Sequence, residues 1–428
     1  MTMRVLVVGG GGREHALVWK LGQSPLVGEI ICAPGNAGIA ELAESVQVTP
    51  NDLDGIVRLA KERRVDLAVI GPEDPLAAGL ADRLTEAGVA TAGPSAAAAR
   101  IESSKAWAKE LMHEAGVPTG RAIAVDSIDA GRRAIAAFVA PVVVKADGLA
   151  AGKGVAVCDT IAAAERTLAT YMDQRVFGDA GATVLIEEYL AGQEVSMLAL
   201  TDGHTIYLLA PACDYKRAFD GDEGPNTGGM GVYTPVPAFD VDLHAEIQRT
   251  VLEPTVAALA VNGSPMCGVL YAGLILTADG PKVLEFNARF GDPESQVVLP
   301  TLNGDLATLL DAVARGRLAD VATPRADGAA VGVVLASGGY PGAYQTGHPI
   351  DGLDRVPNDV LVFHAGTARD NGGRVVTAGG RVLTVVGHGP DLASARDRAY
   401  AGAAEISFYG MQMRQDIALR EVQDQGGR

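Results

Sequence analysis

The chain opens on alternating strand and helix signals. Val5–Val8 is a continuous apolar run of the kind buried on both faces of a parallel sheet. Gly9–Gly12 interrupt it, and a helical stretch follows from Arg13 to Leu21. A second strand covers Glu29–Ala33, a helix capped by Asp52 runs to Arg64, and Leu67–Ile70 is a third strand. A further helix to Ala87 and a short strand at Val89–Ala92 complete the pattern. This alternation predicts a doubly wound α/β unit with a parallel sheet.

From Ser103 the pattern changes. A helix over Ser104–Ala115 precedes a compact unit: strand 121–125, helix 127–138, strand Val142–Lys145, strand 155–157, helix 160–172 and strand 183–188. Asp202-Gly203 joins strands 195–201 and 205–209, and Asp279-Gly280 joins strands 268–277 and 281–287. Both pairs are hairpin-turn signals. Between them lies a Gly- and Pro-rich stretch, 211–237, that reads as one long loop, and then a helix near 241–261. Loops of that length are uncommon unless functional. The last hundred residues carry strand signals at 331–336, 360–363 and 381–386 and a helix from about 391, predicting a small α+β domain.

Composition narrows the class. A chain of 428 residues has room for two to four domains. With 48% apolar and 20% charged residues it is globular rather than disordered. A net charge of −17 argues against nucleic acid as a partner, although a local basic pocket can still take a phosphorylated substrate. None of the four cysteines falls in CxxC spacing, so they read as free thiols in a reducing compartment. The first apolar run is short and ends in glycines, as a strand does and a secretory leader does not. No run approaches the ~18 apolar residues of a membrane span. A soluble, cytoplasmic protein is expected.

Five segments carry chemistry. The first is Gly9-Gly-Gly-Gly-Arg13-Glu14-His15. Its spacing misses GxGxxG, which removes the nicotinamide reading. Backbone N–H groups beside Arg13 at a helix start suit a smaller phosphorylated ligand; a plain strand–helix turn is the alternative. His15 reads as a packing or capping residue.

The second is Lys145-Ala-Asp147-Gly148-Leu-Ala-Ala-Gly152-Lys153-Gly154. It is one residue short of a Walker loop, and Gly154 stands where Ser or Thr would hold magnesium. Three glycines still admit an anion to the backbone, Lys153 can meet its charge, and Lys145 ends a rigid strand. The third, Glu187-Glu188-Tyr-Leu190-Ala-Gly-Gln-Glu194, joins two strands as an interdomain hinge would. Its backbone can read an adenine edge and Glu194 ribose hydroxyls; it equally fits a solvated acidic face.

In the fourth, Val283-Leu-Glu285-Phe-Asn287, period-two geometry puts Glu285 and Asn287 on one face and Leu284 and Phe286 on the other. Two hard oxygen donors suit Mg²⁺ bridging nucleotide phosphates. Arg289, with Asp292 and Glu294 close behind, can clamp a phosphoryl group or a carboxylate. The fifth is the long loop, with Asp214-Tyr215-Lys216-Arg217 and Gly224-Pro-Asn226-Thr227-Gly228-Gly-Met-Gly231. Paired cations and small polar donors there suit an anionic substrate.

Together these segments resemble the ATP-grasp superfamily, and in detail the glycinamide ribonucleotide synthetases. The resemblance adds Ala33-Pro-Gly-Asn-Ala-Gly38, Gly71-Pro-Glu73, Leu270-Tyr-Ala-Gly273, Gly338-Gly-Tyr-Pro-Gly342 and Phe363-His-Ala-Gly-Thr367, and spans nearly the whole chain. It implies an N-terminal substrate domain over 1–102, a two-part ATP-grasp over 103–325 with a lid at about 121–190, and a C-terminal domain over 326–428. It implies ligation of glycine to 5-phosphoribosylamine, with ATP giving ADP and phosphate and Mg²⁺ or Mn²⁺ as the metal. By the same resemblance Lys105 and Lys145 contact ATP phosphates and the 146–154 loop, with Gly152, Lys153 and Gly154, folds over them. Glu187, Glu188, the Leu190 backbone and Glu194 hold the nucleoside, and Glu285 and Asn287 hold the metal. Gly11, Gly12, Arg13, Glu14 and Glu73 face phosphoribosylamine. Asp214, Lys216, Arg217 and Arg289 line the acyl phosphate site, Asn226, Thr227, Gly228, Asp292 and Glu294 also bind substrate, and Lys145, Arg289, Asp214 and Lys216 are the catalytic groups.

One departure stands out: Tyr215 occupies a position that commonly holds histidine in the family. The chain ends at Arg428, so one activity is expected, from a monomer or weak oligomer without nucleic-acid or membrane partners. The alternatives are another ATP-grasp ligase or carboxylase, or a non-catalytic nucleotide sensor. Intact Lys145, Glu285, Asn287 and Arg289 disfavour the sensor.

Overall fold

The computed structural model describes residues 2–150 and 154–426. Gly152 and Lys153 therefore lie outside the described residues. The N-terminal unit is β1 (Met3–Gly9), α1 (Gly12–Leu21), β2 (Val27–Pro34), β3 (Glu44–Ser45), α2 (Leu53–Arg63), β4 (Leu67–Ile70), α3 (Glu73–Ala77), α4 (Leu80–Glu86) and β5 (Ala90–Ala92). Its five strands are parallel, in the order β3-β2-β1-β4-β5. Val5–Val8 is fully buried, as a central strand with helices on both faces requires. Asp52 caps α2 by accepting from Gly55 N at 2.9 Å. The single helix expected up to Ala87 is two, broken at Gly79, whose φ is 86°. Strand order reverses beside β1, so the Gly-rich turn after β1 sits at the crevice where such sheets take ligands.

Two helices follow, α5 (Ala96–Ser103) and α6 (Lys105–Ala115). The first was not foreseen, because its Ala-rich run shows no apolar periodicity. A four-stranded antiparallel sheet comes next, β6 (Ala122–Val125), β7 (Val142–Ala146), β8 (Val155–Cys158) and β9 (Val184–Glu188), in the order β6-β9-β7-β8. Helices α7 (Ile128–Ile135) and α8 (Ile161–Met172) supply Ile135 and Leu168 to its own core around Val142 and Ile186. A second antiparallel sheet, β11-β10-β16-β17, is built from β10 (Gln193–Asp202), β11 (Ile206–Leu208), β16 (Cys267–Thr277) and β17 (Gly280–Asn287). Met197, Leu270 and Phe286 share one core with Leu6 and Ile70, which fuses this sheet to the N-terminal unit.

The stretch 211–237 is not one loop. It contains β12 (Cys213–Asp214), β13 (Arg217–Phe219), β14 (Glu223–Asn226) and β15 (Gly231–Thr234). β13 and β14 form a small hairpin, while β12 and β15 join the C-terminal sheet. The helix expected at 241–261 is α9 (Val241–Ile247) and α10 (Glu253–Val261), joined by a π-helical turn. Two helices, α11 (Ser295–Thr301) and α12 (Leu306–Ala314), flank the minor strand β18 (Leu302–Asn303), which pairs with β19 (Arg325–Ala326).

The C-terminal part holds β20 (Ala329–Ala336), β21 (Val360–His364), the hairpin β22 (Thr367–Arg369) and β23 (Val375–Thr377), and β24 (Arg381–Gly389). Helices α13 (Leu392–Glu405) and α14 (Leu419–Gly426) close the chain. The sheet runs β12-β15-β20-β24-β21, and α13 packs on it through Ala395, Ala399 and Ala403. Val232 and Tyr233 of β15 stand opposite Gly332 and Val331. The C-terminal sheet is thus completed by residues from the middle of the chain. No described helix is long and apolar enough to cross a membrane.

Candidate active site

The three sheets and the N-terminal unit enclose a cleft of about 2440 Å³. On one wall Lys145, next to last in β7, points at the hinge. Its Nζ lies 2.8 Å from Glu187 Oε2 and donates to Leu284 O at 3.0 Å. Both side chains are buried, Lys145 at 5% and Glu187 at 4% exposure. Burial alone would depress the lysine, but Glu187 and Glu285 outweigh it and raise its pKa, so the ammonium stays charged. Lys109 of α6 lies 3.5 Å from the other oxygen, Glu187 Oε1, too loosely aligned for a hydrogen bond. Burial lowers Lys109 to about 8.

Glu285 and Asn287 both line the cleft from β17, while Phe286 is in the core. Leu284 departs from the expected alternation. A β-bulge between Gly273 and Leu274 leaves Leu284 unpaired and half-buried in the cleft wall, where its carbonyl accepts a hydrogen bond from Lys145 Nζ. Burial opposes ionisation of Glu285, yet Lys105, Lys145, Lys216 and Arg289 overcome it and lower its pKa. An ionised carboxylate beside an amide oxygen fits a hard divalent cation that takes its remaining ligands from nucleotide phosphates and water. Among the described residues no group of three or more His, Cys, Asp or Glu side chains is placed to hold a metal unaided.

Lys105 opens α6 and lines the same cleft. Asp147, in the loop after β7, accepts from Ala106 N at 2.6 Å and from Ser104 Oγ at 3.2 Å. One carboxylate therefore ties the Gly-rich loop to the helix start that carries Lys105.

Arg289 forms the junction between walls. Its Nε lies 3.2 Å from Glu73 Oε2 and its Nη2 3.0 Å from Glu102 Oε1. Glu102 also accepts from Ala288 N at 2.7 Å. Burial would lower the guanidinium pKa, but these carboxylates raise it further above its ordinary range. At the first glycine turn, Glu14 accepts from Gly11 N at 2.6 Å and from Arg13 Nε at 2.6 Å. A Cβ on Gly71 would stand 1.8 Å from Glu14 Oε1, so the Gly71 position admits no side chain while Glu14 caps α1. Arg13 reaches the cleft and donates to Phe290 O, whereas Gly11, Gly12 and Glu14 do not line it. His15 accepts from His364 N at 2.8 Å and packs on Phe363, joining the N- and C-terminal parts.

The remaining wall gathers Lys216, 2.6 Å from Asp214 Oδ1 and 3.7 Å from Glu194 Oε2. Glu294 accepts from Tyr271 OH at 2.9 Å and Ser196 Oγ at 3.1 Å. Burial and then Asp214 raise its pKa. Thr227 donates to Lys216 O through both N and Oγ1. Asn226 and Gly228 line the cleft, as do Leu190 and Gly154. Glu188 lines it too, although its Oε1 is taken by Arg121 N at 2.8 Å. Arg217 donates to Gly224 O and is exposed.

Sequence reading missed Glu102, Lys109 and Arg381. Arg381 Nη2 sits 2.9 Å from Asp292 Oδ2, and Nη1 bonds the Gly228 and Asp292 carbonyls. It therefore joins the loop around Gly228 to the run after Arg289 from a strand 89 residues beyond Asp292. No local pattern around these three residues signals their roles.

The fold and the site define an ATP-grasp protein: two antiparallel sheets flanking a cleft lined by charged side chains, beside a parallel-sheet unit. Family models described as the N domain, the ATP-grasp (A) domain and the C domain of phosphoribosylglycinamide synthetase match residues 3–102, 103–295 and 330–420. The chain belongs to the phosphoribosylglycinamide synthetase family. It is 52% identical over 423 residues to a phosphoribosylamine–glycine ligase of Streptomyces coelicolor, covering 98% of this chain and 99% of that one. A crystal structure of phosphoribosylamine–glycine ligase from Thermotoga maritima superposes with a TM-score of 0.85 at 33% identity, covering 97% of this chain and 100% of the other. The biotin carboxylase domain of Hydrogenobacter thermophilus 2-oxoglutarate carboxylase shares the fold alone, with a TM-score of 0.75, 18% identity and coverage of 96% and 92%.

Proposed function

We propose that the protein ligates glycine to 5-phosphoribosylamine, converting ATP to ADP and phosphate and giving glycinamide ribonucleotide for purine biosynthesis. The observation that carries this reading is one cleft in which Arg289 joins a wall bearing Arg13 and Glu73 to a wall bearing Lys105, Lys145 and Glu285. Phosphoryl transfer and amine attack thus have adjoining places.

A carboxylate does not react with an amine at neutral pH, because oxide is its leaving group. Attack of a glycine carboxylate oxygen on the γ-phosphorus releases ADP and leaves a glycyl phosphate. The amine nitrogen then attacks the acyl carbon and inorganic phosphate departs. Lys145 and Arg289 hold positive charge fixed where phosphoryl charge develops, so positioning and neutralisation do most of the work. Glu285 and Asn287 would hold the divalent cation that neutralises nucleotide phosphates when bound. Mg²⁺ and Mn²⁺ both suit that donor pair. Glu187, Leu190 and Glu194 lie where a nucleoside would meet the hinge. Arg13 and Glu73 would face the amine substrate, and Asp214, Lys216, Arg217, Asn226, Thr227, Gly228, Asp292 and Glu294 the acyl phosphate. The loop from Asp147, with residues 121–190, would exclude water from an intermediate prone to hydrolysis.

We also assign 1–102, 103–325 and 326–428 as three domains of a cytoplasmic monomer or weak oligomer. The test is ADP release with ATP, Mg²⁺, glycine and freshly generated phosphoribosylamine, omitting one component at a time. Turnover that needs all four, with product one glycyl unit heavier, supports the assignment. Turnover without phosphoribosylamine returns the substrate to another ATP-grasp ligase or carboxylase.

A further inference from the structure

The C-terminal tail contributes a buried arginine that faces no other part of the mechanism. Arg414 is 1% exposed. Its Nε and Nη2 bind Asp416 Oδ1 and Oδ2, each at 2.7 Å. Its Nη1 donates to Asp222 Oδ1 at 2.8 Å and to Arg217 O at 3.1 Å. The guanidinium carbon lies 4.6 Å from the Tyr215 ring centre. Neighbouring groups repeat the link. Gln415 N donates to Asp220 Oδ1, Gly221 N to Asp416 Oδ2, and Ala418 N to the Tyr215 hydroxyl at 2.9 Å, which in turn reaches Glu421.

Apart from the Arg414–Asp416 pair, which lies within the tail itself, every one of these contacts involves the segment from Tyr215 to Asp222. That segment holds Lys216 and Arg217 and continues as the β13–β14 hairpin to Asn226. Backbone bonds to Gly231, Met230 and Thr227 also tie Tyr215 and Lys216, but the ribbon beyond them has little else to hold it. Phe219 to Pro225 is exposed, its two strands pair only with each other, and Ala218 is its one buried side chain. A two-stranded ribbon of that kind is marginal in water by itself. An arginine that satisfies its donors in a planar fork fixes both position and orientation, which an ammonium cannot do.

We propose that Arg414 is a positioning residue: it locks the Tyr215–Asn226 hairpin onto the C-terminal tail and so sets where Lys216 and Arg217 meet the substrates. The same lock gives the Tyr215 departure a role. Its phenol is an anchor for the Ala418 amide and a platform for Arg414. The kinetic part of this inference rests on the proposed ligase reading; the structural part does not.

The test compares full-length wild type with Arg414→Met, Arg414→Lys and Asp222→Asn. Trypsin cleavage after Lys216 and Arg217, mapped by mass spectrometry, reads hairpin order without any substrate. Cleavage should accelerate at least tenfold in Arg414→Met and less in Arg414→Lys, roughly as for other lost buried charge pairs. KM for glycine or phosphoribosylamine should rise about tenfold with KM for ATP unchanged, as expected of misplaced substrate groups. Unchanged cleavage in folded Arg414→Met overturns the lock. Faster cleavage with unaltered kinetics overturns the positioning role. If Arg414→Met fails to fold, exposed Asp222→Asn is judged by the same criteria. A wild type that makes no glycinamide ribonucleotide defeats the ligase reading and leaves the cleavage result to decide the lock.

Discussion

Lys145 and Glu187 face each other at 2.8 Å with hardly any solvent between, and Lys109 stands 3.5 Å behind the same carboxylate. Two lysines therefore share one buried acid. Replacing Lys145 by methionine should remove a phosphate-directed cation yet leave Glu187 a partner. We expect kcat for ADP release to fall by two to three decades, the ~2.7–4 kcal/mol typical of one lost transition-state donor. Thermal unfolding should show the variant still folded. A loss below threefold would refute the assignment.

Arg289 separates geometry from charge. Arg289→Lys keeps a cation but cannot reach Glu73 and Glu102 together. Its kcat should drop about a hundredfold or more. Arg289→Met leaves Glu102 buried without its partner, and denaturant unfolding should register a loss of about 3–5 kcal/mol. Equal stability of the two variants would show that Glu102 is not held by this arginine.

Gly71 tests the first glycine turn. Gly71→Ala forces Glu14 away from the Gly11 amide. KM for phosphoribosylamine should rise roughly tenfold or more, in line with ~1.5–3 kcal/mol for a charged hydrogen bond. KM for ATP should stay put, since the turn lies on the other wall. A shift in ATP affinity instead would reassign the turn.

His15 and His364 predict a pH dependence of stability. Burial holds them at about 3 and about 4, and nearby positive charge adds to it. Both are depressed, so the unfolded chain binds more protons below pH 6.5. The stability present above that pH is lost as pH falls toward 4, by roughly 1.4 kcal/mol per pH unit for each histidine. His15→Gln, which can still accept from His364 N, should flatten the difference between pH 6.5 and 4.5. Parallel curves for wild type and variant would show that His15 does not titrate with unfolding.

What the sequence disclosed depended on how local each signal is. Most strands and helices around Gly9 and Lys145 announce themselves through short apolar runs with glycines at their ends, whereas the two-residue β3 carries no such signal. Glu285 and Asn287 fall out of period-two geometry. Leu284 does not, because a bulge is set by its partner strand. β15 was hidden inside a Gly- and Pro-rich stretch, four residues whose burial comes from β20 nearly a hundred positions away. α11 carries Pro300 within it, which speaks against a helix in any local reading. Glu102, Lys109 and Arg381 acquire meaning only when tertiary packing brings Arg289, Glu187 and Asp292 to them.

β15 has a further consequence for inheritance. A gene exchange between two relatives at the junction near residue 325 would appear to trade whole modules. It would in fact marry an inner strand of one parent to the sheet of the other, with Val232 and Tyr233 meeting an unfamiliar β20. A cut near residue 210 keeps those partners together but parts β10 from β16 instead. The C-terminal part is therefore inherited most safely together with the β15 that completes its sheet.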